Sequence, residues 1–217
     1  MLNNTISKCM NNGLKIDNVF DIGACSGSWS TNLQIQLLRN SKFFLFEANP
    51  AHLSELIISG MKYFFATLSD EDGKVVDFYN SDTTGDSYYK ETTTWYDNKK
   101  PTKRQTTTID AIMELHNLPI PNLLKIDTQG SELDILTGST KLIGKTELIV
   151  CEMPIIEYNR GSPVISDYLK FFSQNDYIPI ELVEVHHAEN TLLQIDVLFM
   201  LRSAKNQFLG ESKTIRV

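Results

Sequence analysis

The sequence predicts an α/β fold: a doubly wound, mostly parallel sheet closed by an antiparallel hairpin. Three observations predict it. Apolar strand-like runs alternate with helix-period segments along most of the chain. Four of those runs end at or beside an acid: Asp21, Glu47, Asp127 and Glu152. The last two runs follow each other with no helix between them.

The elements read in order as follows. Met1 to Gly13 is a weakly specified helix or arm, so residues 1–17 are set apart from a domain spanning 18–217. Asn18 to Ile22 is the first strand, and a glycine-bearing turn leads into a helix over Ser28 to Arg39. There Trp29, Leu33 and Leu37 repeat at four-residue spacing and share one face. Lys42 to Glu47 is nearly continuously apolar, as a strand covered on both faces must be. Pro50 suits the first turn of the helix that carries Leu53, Leu56 and Ile57. Tyr63 to Leu68 is the third strand, residues 69–73 a turn, and Lys74 to Tyr79 a further strand. Residues 80–107 are polar and Thr-rich, and are expected to be an inserted loop, functional or disordered. A helix over Ile109 to His116, a strand over Asn122 to Asp127 and a short helix capped at Gly138 follow. Next come a strand from Glu147 to Glu152 and a helix from Ile165 to Phe172. Tyr177 to Val185 and Gln194 to Leu201 close the sheet as the hairpin.

The 217 residues suit one domain, and 41% apolar with 22% charged residues is ordinary for a globular chain. No apolar run approaches a membrane span and residues 1–12 lack a secretory apolar core, so the expected setting is cytoplasmic. A net charge of -7 argues against a broad nucleic-acid surface. Cys9, Cys25 and Cys151 are odd in number and far apart, fitting neither a disulfide framework nor a zinc site.

Open parallel sheets bind ligands at the carboxyl ends of their strands, where the four acids should project. Asp21-x-Gly23-x-x-x-Gly27 is not the dinucleotide pattern GxGxxG, and no phosphate-gripping Lys follows it. Glu47 lies 20 residues past Gly27, where a carboxylate accepts two ribose hydroxyls. A ligand with a ribose but no phosphates points to S-adenosylmethionine rather than NAD. The other reading is an ordinary βα turn with a surface Glu.

Val19 to Gly27, Phe46-Glu47-Ala48-Asn49-Pro50, Ala66 to Asp70 with Gly73, and above all Leu124-Lys125-Ile126-Asp127-Thr128-Gln129-Gly130-Ser131-Glu132 resemble the FkbM family of S-adenosylmethionine-dependent methyltransferases. Thr108-Ile109-Asp110 resembles the segment that precedes the Lys-Ile-Asp strand in that family. The resemblance runs from about Asn18 to Arg202. It implies a class I methyltransferase (Rossmann-like) fold with seven strands, S-adenosylmethionine as cofactor, and usually transfer to a hydroxyl oxygen. By position it implies that Asp21, Gly23 and Gly27 shape the methionine end of the pocket, that Glu47 holds the ribose, and that Leu68 and Ser69 lie by the adenine. Ala24, Cys25, Ser26, Ala48 and Asp127 complete the expected cofactor set. Cys25 departs from the family, which usually has Asn there, and a thiol hydrogen-bonds more weakly than an amide.

A hydroxyl acceptor reacts better if a carboxylate takes its proton. Asp127 is the first candidate for that base, then Glu132 and Glu152. Asp127 can instead cap the turn at Gly130, Glu132 can oppose its helix dipole, and Glu152 can be structurally paired. The run after Asp127 lacks the Pro-Pro-aromatic pattern of amino-group methyltransferases, so a small-molecule, sugar or glycan, or polyketide-like hydroxyl is the expected acceptor. RNA ribose methylation and a non-catalytic cofactor-fold binding protein are the alternatives.

Adjacent strand residues face opposite ways, so His186 and His187 make no two-His metal site and no metal is expected; one of them is a candidate for the acceptor pocket. Tyr88, Tyr89, Trp95 and Tyr96 are candidates to stack on an acceptor, and Lys99, Lys100, Lys103 and Arg104 to meet an anionic one. The other reading is a solvated loop.

Overall fold

The computed structural model describes residues 1–80, 85–96 and 99–209, and of Trp95 the backbone alone. Helix α1 (Leu2–Asn11) leads into strand β1 (Asn18–Ile22), helix α2 (Ser28–Gln36) and strand β2 (Lys42–Glu47). Helix α3 (Leu53–Ser59), strand β3 (Lys62–Phe65), strand β4 (Thr67–Leu68) and strand β5 (Val75–Phe78) follow. Then come strand β6 (Thr102–Thr107), helix α4 (Ile109–His116), strand β7 (Leu123–Ile126), helix α5 (Glu132–Thr137) and strand β8 (Leu148–Pro154). Helix α6 (Ile165–Gln174), strand β9 (Tyr177–Ala188), strand β10 (Thr191–Leu201) and helix α7 (Lys205–Leu209) complete the chain.

The main sheet has seven strands in the order β3-β2-β1-β7-β8-β10-β9. The first five pair in parallel, and β10 runs antiparallel to both β8 and β9. The chain winds outward from β1 to β3 and then returns to lay β7 on the other side of β1. That reversal opens a crevice at the carboxyl ends of β1 and β7.

Strand alternation explains why the runs are continuously apolar. Phe20, Ile22, Phe44 and Phe46 pack with Ile109 and Ile112 of α4, Ile135 of α5 and Tyr168 and Phe172 of α6. Val19, Phe43 and Leu45 pack on the opposite face with Ile6 of α1, Leu33 of α2, Leu56 of α3 and Phe208 of α7. Both faces are covered by helices, so every second side chain has a core to enter.

Several expected boundaries differ. The run from Tyr63 to Leu68 is split at Ala66, whose N–H makes the last bond to Glu47 at 2.9 Å. Beyond it the chain leaves the main sheet, and β4 joins a three-stranded sheet of order β4-β6-β5. Strand β6 lies inside the segment expected to be a loop. Its Thr-Lys-Arg-Gln-Thr-Thr run buries mainly Thr106, so polarity hid a strand built on Thr, a β-branched residue suited to sheets. Helix α2 ends at Gln36, short of Arg39, where Leu37 turns to φ -138°. The hairpin strands are longer than expected, meeting at a two-residue turn with Glu189 at φ +53°. Among the described residues no helix is long and apolar enough to cross a membrane.

Candidate active site

The turn after β1 is shaped by its glycines. Gly23 has φ +76° and Gly27 +73°, a region that costs an L side chain steric strain. Gly23 has a second reason: a Cβ there would lie 1.7 Å from the backbone oxygen of Asp127. The turn after β1 is therefore pressed against the turn after β7. Cys25 also sits at positive φ (+49°), a conformation Asn enters more readily than Cys. Its N–H donates to Glu47 Oε2 at 2.7 Å, and the Asn49 N–H donates to Glu47 Oε1 at 2.7 Å. Burial pushes the Glu47 carboxyl above its usual value, and these N–H donors oppose that shift. The Cys25 Sγ lies 3.5 Å from His52 Nε2.

Lys125 is the electrostatic centre. Its Nζ lies 3.5 Å from Asp21 Oδ1 and 3.2 Å from Asp127 Oδ2. Asp21 is fully buried and accepts from the Ser30 hydroxyl at 2.6 Å, so it faces inward to Lys125 rather than into the crevice. Burial would raise Asp127, but the Lys125 ammonium and hydrogen bonds from Glu152, Gln129 and Lys125 outweigh it and hold the carboxyl at about 2. Glu152 goes the other way: burial and the neighbouring Asp127 charge push it well up. The two carboxyls are thus pushed in opposite directions, the pattern expected when two like charges are forced together. The Gln129 side-chain amide spans them, donating at 3.1 Å to Asp127 Oδ1 and at 3.1 Å to Glu152 Oε1. The Tyr158 hydroxyl donates to Glu152 Oε1 at 3.2 Å.

Glu132 does something different. It is fully buried and accepts from the Thr128 N–H at 2.7 Å, the Gly130 N–H at 3.0 Å and the Tyr168 hydroxyl at 2.6 Å. Its carboxylate is occupied in holding the 127–130 turn, in which Gln129 and Gly130 both have positive φ.

A cavity of about 460 Å³ opens over these turns. Of the residues expected from sequence, Gly23, Ala24, Cys25, Ser26, Glu47, Ala48, Leu68, Asp127 and Glu152 line it. Asp21, Gly27, Ser69 and Glu132 lie behind its wall. Phe46, Leu68, Phe78 and Ile135 make one end apolar, while Glu184, His186, Gln194 and Asp196 of the hairpin face the acidic end. Sequence reasoning did not single out Glu184, Gln194 or Asp196. Only strand register finds them, since Asp196 pairs with Glu152 on one side and Glu184 on the other.

The loop candidates divide. Tyr88 lines the cavity, and both Tyr88 and Tyr89 donate to Asp134 Oδ2 at 2.9 Å. Tyr96 is buried, while the Trp95 side chain lies outside the described residues. Lys103 pairs with Asp77 at 2.8 Å, and Arg104 lies 4.2 Å from the Phe78 ring and donates to the Ala48 carbonyl.

Comparison with known proteins agrees with this fold. The family profile described as the methyltransferase FkbM domain matches residues 21–179. No curated protein sequence matches the chain. A solved O-methyltransferase from Bacillus cereus, in complex with SAH, is 9% identical at a TM-score of 0.51, covering 90% of this chain and 78% of that one. The precorrin-6y C5,15-methyltransferase of Geobacter metallireducens GS-15 is 18% identical at a TM-score of 0.49, covering 90% and 85%. At such identity the likeness to the Bacillus cereus enzyme carries the fold alone; the family profile carries the membership. The chain belongs to the FkbM methyltransferase family and is an S-adenosylmethionine-dependent methyltransferase.

Proposed function

We propose that the enzyme methylates a hydroxyl oxygen of a small-molecule, sugar or glycan, or polyketide-like acceptor, with Asp127 as the base. One observation carries the reading: Asp127 and Glu152 both line the cavity, bridged by Gln129, with the Lys125 ammonium 3.2 Å from Asp127 holding that carboxyl low.

The residues present fit the cofactor. Glu47 lines the cavity and is assigned to the ribose, and Leu68 with Ile135 offers an apolar slot for a purine. The volume falls within the roughly 300–1,000 Å³ of small-molecule sites. S-adenosylmethionine supplies an electrophilic methyl group on a cationic sulfur. An acidic wall favours such a cation over the neutral thioether left after transfer, which promotes release.

Asp127 accepts a hydrogen bond from the acceptor hydroxyl and orients its lone pair for in-line attack. Methylation would leave the acceptor oxygen as a protonated ether, whose proton Asp127 is placed to take. That species is far more acidic than a carboxylic acid, so even a carboxyl held at about 2 takes its proton. Gln129 fixes the spacing of Asp127 and Glu152. Glu132 is assigned to positioning the 127–130 turn rather than to the reaction. The same acidic wall disfavours a polyanionic RNA acceptor.

The test is a screen of hydroxylated acceptors with radiolabelled methyl donor, repeated with Asp127→Asn. Loss of roughly 10²–10⁴-fold in kcat/KM for a hydroxyl acceptor is expected. Transfer to amines alone, or full activity of Asp127→Asn, refutes the reading.

A further inference from the structure

The reaction described above uses the β7 and β8 side of the acidic wall and leaves the hairpin side without a role. Antiparallel register brings that side together. Asp196 on β10 pairs with Glu184 on β9, and His186, two residues further along β9 and opposite Gln194, follows Glu184. Among the described residues, Glu184, His186 and Asp196 form a group whose ligand-type atoms all lie within 4.8 Å of one another. The His186 Nε2 is 3.5 Å from Asp196 Oδ1. All three residues line the cavity.

Two further observations indicate that a positive charge is wanted here. Among the described residues Asp196 Oδ1 is buried and accepts no hydrogen bond, leaving His186 Nε2 at 3.5 Å as an ion-pair partner only when that ring is protonated. Asp196 also lies across the pairing from Glu152 and near Asp127, while the nearest lysine, Lys125, is already engaged by Asp21 and Asp127.

We propose that Glu184, His186 and Asp196 bind a first-row divalent cation at the acceptor end of the cavity. One imidazole with two carboxylates suits Mn²⁺, Co²⁺ or Zn²⁺ better than Mg²⁺, which prefers oxygen ligands and retains water. Three protein ligands on one wall leave positions open toward the cavity, the arrangement of a catalytic rather than a structural site. The open positions take acceptor oxygens: a pair of neighbouring hydroxyls, or a hydroxyl beside a carbonyl. The cation then makes a bound hydroxyl more acidic and orients it toward Asp127. This role in acceptor binding rests on the methyltransferase reading; the metal site itself does not.

The test uses the full-length chain, stripped of metal by chelation and dialysis. Mn²⁺ is titrated and free Mn²⁺ is followed by electron paramagnetic resonance, with S-adenosylhomocysteine binding measured by calorimetry on the same preparation. Saturable binding of one Mn²⁺ per chain is expected, weakened by more than about tenfold in Asp196→Asn and in His186→Ala. His187→Ala, at an exposed position one residue along β9, should bind as the wild type does. Circular dichroism of each variant guards against loss of fold, and the near-isosteric Asp196→Asn decides if His186→Ala fails to fold. No Mn²⁺ binding, or binding unchanged in both variants, overturns the site and leaves a plain His–Asp pair. Cofactor-product binding without Mn²⁺ binding therefore retires the metal alone. Mn²⁺ binding without cofactor-product binding retires its role in methyl transfer.

Discussion

Gly23→Ala tests the packing on which the whole site depends. The substitution meets two obstacles that a second glycine separates. Gly60, the C-cap of α3, has φ +69° and nothing within 4 Å of an added Cβ, whereas Gly23 has φ +76° and the Asp127 oxygen at 1.7 Å. Gly60→Ala should therefore cost only the left-handed backbone strain, about 1–2 kcal/mol. Gly23→Ala should cost that plus overpacking of about 1–3 kcal/mol. Strand β7 is paired on both edges, by β1 and β8, so its end cannot simply retreat. For a chain of this size each kcal/mol shifts Tm by roughly 2–4 °C. Thermal melts should show Gly23→Ala well below Gly60→Ala, and calorimetry should show that only Gly23→Ala loses S-adenosylhomocysteine binding. Equal melting temperatures with full ligand affinity in both would refute the contact between the two turns.

Further outcomes follow from the same geometry. Lys125→Met leaves the buried Asp21 and the half-buried Asp127 carboxylates unneutralised and should cost about 3–5 kcal/mol in urea denaturation, with Asp21→Asn partly restoring stability in the double variant. Purely additive losses would contradict the pairing. Tyr168→Phe removes the hydroxyl that donates to Glu132 at 2.6 Å, and should cost about 1.5–3 kcal/mol by the same assay. An unchanged denaturation midpoint would count against Glu132 as the staple of the turn. Burial pushes the Cys25 thiol up, so its thiolate fraction is small at neutral pH and grows as pH rises past the ordinary thiol range. Iodoacetamide should modify Cys25 slowly at neutral pH, faster above about pH 9 and not when S-adenosylhomocysteine is bound, while the buried Cys9 and Cys151 stay unmodified. Intact-mass spectrometry reads this, and rapid labelling unaffected by ligand would place Cys25 outside the pocket.

The sequence made the parallel half of the sheet legible because both of its faces are buried, which forces unbroken apolar runs such as Lys42–Glu47. It made Asp127 legible for the related reason that a charge at the end of such a run has the crevice to enter; Glu152, expected at a strand end, lies two residues inside β8 and still lines the cavity. Asp21 does not line the cavity, because its carboxylate is taken up by the Ser30 hydroxyl and by Lys125, which it pairs in register. Strand β6 stayed hidden because it is polar and half exposed, so it carries neither an apolar run nor a clean alternation. The hairpin side of the cavity stayed hidden for a different reason. Glu184 and Asp196 meet only through the register of β9 on β10, which shifts at irregularities on either side of Asp196, and no local pattern encodes those shifts. Glu132 was visible as a carboxylate near the site, but its burial under Tyr168 depends on where α6 packs.

The central claim is that S-adenosylmethionine lies on the Gly23–Gly27 turn with Glu47 at its ribose. Calorimetric titration of the wild-type enzyme and Glu47→Ala with S-adenosylhomocysteine tests it most directly. One saturable site is predicted, weakened in Glu47→Ala by about 1.5–3 kcal/mol for a lost charged hydrogen bond, or roughly 10–150-fold in Kd. Absence of binding to the wild type, or the same Kd in both proteins, would contradict it.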